Sequence, residues 1–131
     1  MPVQFESIQV GSEYDRNELA SLWGYKSFHA LARGVFTPRN QNIIVLFVTE
    51  EKQENFTQYA DRLVGNTLTW EGEDGHGSDT RMSEASRRGD EIYLFYRKRH
   101  HAAFIFMGQV RLTKAKVFSN KPSEFEFDLL K

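Results

Sequence analysis

Asn42–Thr49 reads NIIVLFVT, and the fold turns on how that stretch is read. Every position from Ile43 to Val48 is apolar. A strand with one solvated face alternates apolar and polar residues, whereas a strand covered on both faces reads as an unbroken β-branched run. The stretch therefore predicts a central strand over Asn42–Thr49, packed on both sides. Glu50–Glu54 follows as an acidic, solvated turn, and Phe36–Asn40 precedes it as a loop in which Pro38 disfavours helix.

Upstream of that strand, Val3, Phe5 and Ile8 suggest a first strand within Met1–Val10. Asp15 with Glu18 three residues later forms a helix-capping pattern, and Leu19, Leu22 and Trp23 follow at helical spacing. Gly24–Ser27 interrupts. Ser27 then starts a second short helix carrying Phe28 and Leu31, with Gly34 at its end. Two short helices about a Gly-containing turn resemble a helix-turn-helix, although Trp23 and Phe28 at this spacing read first as core.

Downstream, Phe56–Leu63 reads as a short helix or an extended connection, and Leu68–Trp70 as a strand. Thr80–Arg88 reads as a polar helix closed by Gly89. Glu91–Arg97 is a strand with aromatic residues on both faces, and Arg97–His101 a basic hairpin tip. Ala102–Leu112 returns, with Gly108 permitting a bulge or a bend. Ala115–Ser119 and the alternating Glu124–Leu130 complete the set. Six or seven strands, two to four short helices and no βαβ rhythm predict one α+β domain over residues 1–131. Its sheet would be curved and mostly antiparallel, or closed as a barrel, with short flanking helices.

The 131 residues suffice for one domain with a core. Cysteine is absent, which excludes disulfides and thiolate-bound zinc. No long apolar run and no signal-peptide pattern is present, so the expected location is cytoplasmic. Net charge is −1, but it is unevenly distributed. Arg81–Lys121 holds ten basic residues against three acids, a surplus of seven; the remainder holds seven against fifteen, a deficit of eight. Such asymmetry suggests one cationic face.

Leu68–Arg81 is LTWEGEDGHGSDTR, with three glycines in six residues among a Trp, carboxylates, a His and a Ser. It reads either as a solvated connection or as a ligand pocket. In the second reading, a Trp beside carboxylates and a close-approach Gly suits a flat ring bearing an amino group. Proteins that extract a nucleobase from a duplex read it by stacking and by hydrogen bonds to its Watson–Crick edge. In the first reading, Trp70 is a core residue and Asp79 a helix N-cap.

Several short motifs resemble one family. They are Gly11, Tyr14 and Arg16 ahead of a helix; Phe47-Val48-Thr49 at a strand end; Tyr59 and Asp61; the Trp-centred loop; Leu94-Phe95-Tyr96-Arg97; and Phe104, Gly108 and Val110. Together, over roughly Gly11 to Leu112, the chain resembles the SRA-like domains of bacterial modification-dependent restriction systems, part of the wider SRA/PUA-like barrel group. The resemblance implies a cytoplasmic binding module for duplex DNA carrying a modified cytosine of the 5-methyl or 5-hydroxymethyl type. The base would be flipped into a pocket, and a nuclease or helicase module in cis or trans would supply catalysis.

The Trp70-Glu71-Gly72 triplet is similar to the aromatic-Gly-Glu-Gly element of SRA domains. Where those carry Gly-Asp-Gln, this chain has Gly77-Ser78-Asp79. The implied pocket is Tyr59, Trp70, Glu71, Gly72 and Asp79. The implied backbone contacts are Arg16, Lys26, Arg33, Arg81, Arg97, Lys98, Arg99 and His100.

A PUA-like RNA-binding module is the alternative, since the same barrel and basic hairpin would serve it. A nuclease ranks third: Glu50-x-Lys52 is a minimal and common triplet, and no Pro-Asp precedes it. No Ser/His/Asp order, P-loop or GxGxxG is present. No catalytic residue, metal or cofactor is expected.

Overall fold

The computed structural model describes residues 3–31, 34–51, 62–71, 79–99, 102–116 and 123–130. In chain order they form β1 (Glu13–Tyr14), α1 (Arg16–Leu22), a 3₁₀ turn (Phe28–Leu31), β2 (Val35–Phe36), β3 (Ile43–Glu51), β4 (Arg62–Val64) and β5 (Thr67–Glu71). Two single helical turns follow, α2 (Asp79–Ser83) and α3 (Ala85–Arg88), then β6 (Glu91–Arg99), β7 (Phe104–Lys116) and β8 (Glu124–Leu129). The strands make one sheet in the order β2-β3-β6-β7-β8-β5-β4, with β1 paired to β7.

Ile43–Glu51 is a strand with both faces buried, as its sequence requires. Ile44, Leu46 and Val48 pack with Leu94, Trp70, Phe125 and Phe127 on one side. Val45 and Phe47 pack with Leu19, Trp23, Phe95 and Phe104 on the other. Side chains from β3 and from β8 and β5, three and four places along the sheet, meet in the first cluster, so the sheet curls around it. The second cluster lies between α1 with the N-terminal segment and the opposite face of β3, β6 and β7.

Every strand pair is antiparallel except β3 with β6, which run parallel from Ile43↔Glu91 to Glu51↔Arg99. The absence of a βαβ rhythm pointed away from such a pair. Among the described residues the crossover contains the β4–β5 hairpin and the two helical turns.

Local chemistry fixes the ends. Asp15 accepts from the Glu18 amide at 2.7 Å and the Glu18 carboxylate accepts from the Asp15 amide at 3.1 Å. This reciprocal cap contributes about 1 kcal/mol. At the other end of α1, Gly24 has φ 81°, and the amides of Gly24 and Tyr25 close back on Ser21 and Ala20. Gly108 has φ 88° and faces the register shift between Leu94 and Phe95, the bulge its position permitted.

Residues 3–10 are not the expected strand. Val3 and Ile8 are buried, but the Gln41 side chain takes the place of a ladder partner. Its Oε1 accepts from the Val3 amide and its Nε2 donates to the Val3 carbonyl, both at 3.0 Å. Burial alternation alone therefore suggested a strand that has no neighbour. The second helix of the apparent helix-turn-helix is only a 3₁₀ turn. Trp23 is fully buried and donates its indole N–H to the Gln4 carbonyl at 2.9 Å. That pairing is a core device and not a groove-reading one.

Candidate nucleic-acid interface

The ends of β3 and β6 bring the chemistry together. Parallel pairing sets Thr49 beside Arg97. Arg97 donates from Nε to Thr49 Oγ1 at 2.7 Å and from Nη1 to the Ala102 carbonyl at 3.0 Å. Its guanidinium carbon stands 4.2 Å from the centroid of the Phe104 ring. Arg16, the first residue of α1, sets its guanidinium carbon 4.9 Å from the centroids of both Phe47 and Phe104. Two cations thus share one aromatic floor. Burial, and then the Arg97 charge, lower the Arg16 pKa to about 10; burial also lowers that of Arg97. Both remain charged at neutral pH.

An open cleft of about 340 Å³ lies over this floor, with Arg16, Asn17, Phe28, Arg97 and Phe104 in its walls. Phe28 is 39% exposed and stacks on His29. A second cleft of about 400 Å³ shares Arg97 and continues along Lys98, Arg99 and Tyr96. The Tyr96 hydroxyl donates to Glu50. Of the residues expected to meet a nucleic-acid backbone, Arg16, Arg97, Lys98 and Arg99 are gathered here.

Others are not. Arg81 is placed elsewhere and otherwise employed. Its Nε donates to Asp90 at 2.9 Å and its Nη2 to the Gln41 carbonyl at 3.4 Å. The Asp90 side chain is fully buried and Arg88 also reaches it, at 3.4 Å. Arg81 therefore locks the start of β6, whereas Arg97 stands near its end, about 20 Å away at the rise of a strand. The two do not form one face, contrary to the expectation from charge density along the chain. Arg87 is likewise paired, with Glu84, and Lys114 approaches Glu126. Lys26 is exposed beyond the C-terminal cap of α1, at the far end of that helix from Arg16. Arg33 and His100 lie outside the described residues.

Trp70 is 5% exposed and packs at ring-centroid distances of 5.6 and 6.4 Å against Phe125 and Phe127. It occupies the core position that was one of its two readings, and offers no ring face for stacking. The physical reason is strand alternation: Leu68 and Trp70 share the inner face of β5. Glu71 ends β5 and Asp79 opens α2, with their side chains outside the described set, as are Tyr59 and Gly72. Among the described residues no group of three His, Asp or Glu is placed to hold a metal ion. No helix there is long and apolar enough to cross a membrane.

Sequence reasoning missed the floor and rim of the cleft: Phe47, Phe104, Phe28 and Asn17. The signal for Phe104 lay in the quoted motif, but its role as a ring beneath two guanidiniums depends on β7 pairing with β6 on one side and with β1, just ahead of Arg16, on the other.

Residues 8–129 match the family described as "Domain of unknown function (DUF3427)". The chain belongs to DUF3427. The match spans every described element of this DUF3427 domain, from before β1 to the last residue of β8. Among solved structures, the DUF3427 domain is similar to the SRA domain of SUVH5, solved in a complex with fully methylated CG DNA. The TM-score is 0.66 at 10% identity, covering 99% of this chain and 94% of that one. The DUF3427 domain thus has an SRA-like fold. No curated protein matches it.

Proposed function

We propose that this domain binds duplex DNA and recognises modified cytosine of the 5-methyl or 5-hydroxymethyl type. The reading rests on the SRA-like fold, since the similar SUVH5 domain was solved with fully methylated CG DNA. The cationic clefts at the ends of β3 and β6 support it independently. A modified base is read along its whole edge only once it leaves the stack, at a cost of a few kcal/mol. In this proposal the segment between β5 and α2 receives the flipped cytosine. Asp79 or Glu71 accepts from its amine, Gly72 gives room to the 5-substituent, and Tyr59 stacks. Trp70 supports that segment from the core.

The domain would act in the cytoplasm as the targeting module of a modification-dependent restriction system. Catalysis would belong to a nuclease or helicase module in cis or trans.

The test is a three-way comparison of binding to methylated duplex, unmethylated duplex of the same sequence, and structured RNA. Preference for the methylated duplex is the expected result. Equal binding to the two duplexes would overturn the modified-base reading, and preference for RNA would transfer the domain to the PUA-like reading.

A further inference from the structure

Arg16 and Arg97 present an electrostatic imbalance that the fold itself does not relieve. Two guanidiniums sit against one ring, separated by less than the sum of their 4.9 and 4.2 Å distances to its centroid. Bringing two like charges together and partly out of water is unfavourable unless an opposite charge joins them. Among the described residues no carboxylate forms an ion pair with either. Asp15, the nearest in sequence, also lines the cleft, but its carboxylate is committed to capping α1.

Arg97 spends two donors on Thr49 and Ala102. Among the described residues Arg16 finds no acceptor, and its Nε is enclosed without one. The rings, rather than hydrogen bonds, hold the Arg16 guanidinium in place. Most of ten N–H donors therefore remain available at one spot.

We propose that the cleft between α1 and the adjoining ends of β6 and β7 is a phosphate subsite, in which Arg16 and Arg97 together clamp one phosphate group. A phosphate oxygen pair matches the planar fork of a guanidinium, and its negative charge offsets the repulsion between the two arginines. The cleft of about 340 Å³ leaves space for the sugar or base attached to that phosphate, and Phe28 stands half exposed on the rim. Lys98 and Arg99 continue the positive path next to Arg97, which suits a chain of phosphates. The subsite deepens the DNA-binding reading and rests on it for its source of phosphate, a backbone phosphodiester. A free phosphate ester has the same chemistry.

The test follows the arginine Nε–H NMR signals of the ¹⁵N-labelled chain as inorganic phosphate is added, with chloride at equal ionic strength as the control. The Arg16 and Arg97 signals should move together and saturably under phosphate but not under chloride. Arg16→Met should abolish the Arg97 shift. If that variant is unfolded, Arg16→Lys, which keeps the charge and loses the fork, should weaken phosphate at least tenfold. Arg87→Ala, far from the cleft, should leave the titration unchanged.

Identical shifts under chloride, or shifts confined to arginines other than Arg16 and Arg97, would overturn the subsite. Duplex DNA should move the same two signals and compete with phosphate. If duplex binds and those signals stay fixed, the subsite falls while the DNA-binding reading stands. If phosphate moves them and no duplex binds, the subsite stands for a free phosphate ester and the DNA reading falls.

Discussion

Trp70 and Arg81 were both candidates for touching a ligand, and both are structural. A Trp between carboxylates and glycines and an Arg in a basic segment look like binding residues because the sequence gives their neighbours along the chain. It does not give what lies across the sheet. Phe125 and Phe127 arrive beside Trp70 only through the β5–β8 pairing, and Asp90 is the buried partner that Arg81 satisfies. Trp70→Ala should therefore cost about 3–5 kcal/mol of folding stability, the usual range for deleting a buried aromatic side chain. Urea unfolding measures it. A loss under 1 kcal/mol would mean that the ring is not in the core and would return it to the pocket.

At the scale of elements, most strands were legible because their signals are local. The unbroken apolar run gave β3, alternation gave β8, and the Asp15–Glu18 pair gave the start of α1. Thr80–Arg88 emerged as two helical turns closed by Gly89 at φ 77°, in line with its glycine. What stayed hidden was partnership. Residues 3–10 carry a strand-like pattern with a side chain in place of a neighbouring strand, and the parallel β3–β6 pair has no periodic signature.

Gly108 connects the local and the tertiary. Its φ of 88° disfavours any side chain, and a Cβ there would stand 3.2 Å from Val10 Cγ2. Gly108→Ala should destabilise by about 1–2 kcal/mol, the cost of left-handed backbone for an L-residue. Denaturant melts of Gly108→Ala and of a Val10→Ala, Gly108→Ala double variant separate backbone strain from the contact. If Gly108→Ala matches the parent, the bulge does not need the glycine.

For the molecule as a whole, a net charge of −1 conceals a cationic end. Arg81, Arg87, Arg88 and Lys114 are paired with acids of the same fold, whereas Arg16, Arg97 and Lys98 gather around adjoining clefts at one end of the sheet. Each phosphate neutralised contributes close to −0.9 to the slope of log K against log salt for duplex DNA. An Arg97→Ala, Lys98→Ala double variant should lower the steepness of that slope by about 1 if Arg16 keeps the phosphate it shares with Arg97, and by about 2 if that phosphate is lost as well. Fluorescence anisotropy across a salt series reads it, and an unchanged slope would place the backbone contact on another surface.

The parallel pairing also dictates the order in which the chain can be completed. Thr49 and Arg97, which hydrogen-bond in the finished sheet, are 48 residues apart. The β6-β7-β8 meander closes through short connections, whereas β3 must wait for the whole excursion through β4, β5 and the helical turns. Closing so long a loop costs entropy before any pairing repays it. During synthesis, the most apolar strand therefore leaves the ribosome well before its principal partner exists. In that interval the β6-facing side of Ile43–Val48 is an unpaired, adhesive edge, and the acids of Glu50–Glu54 immediately behind it carry the like charge that keeps two such nascent edges apart.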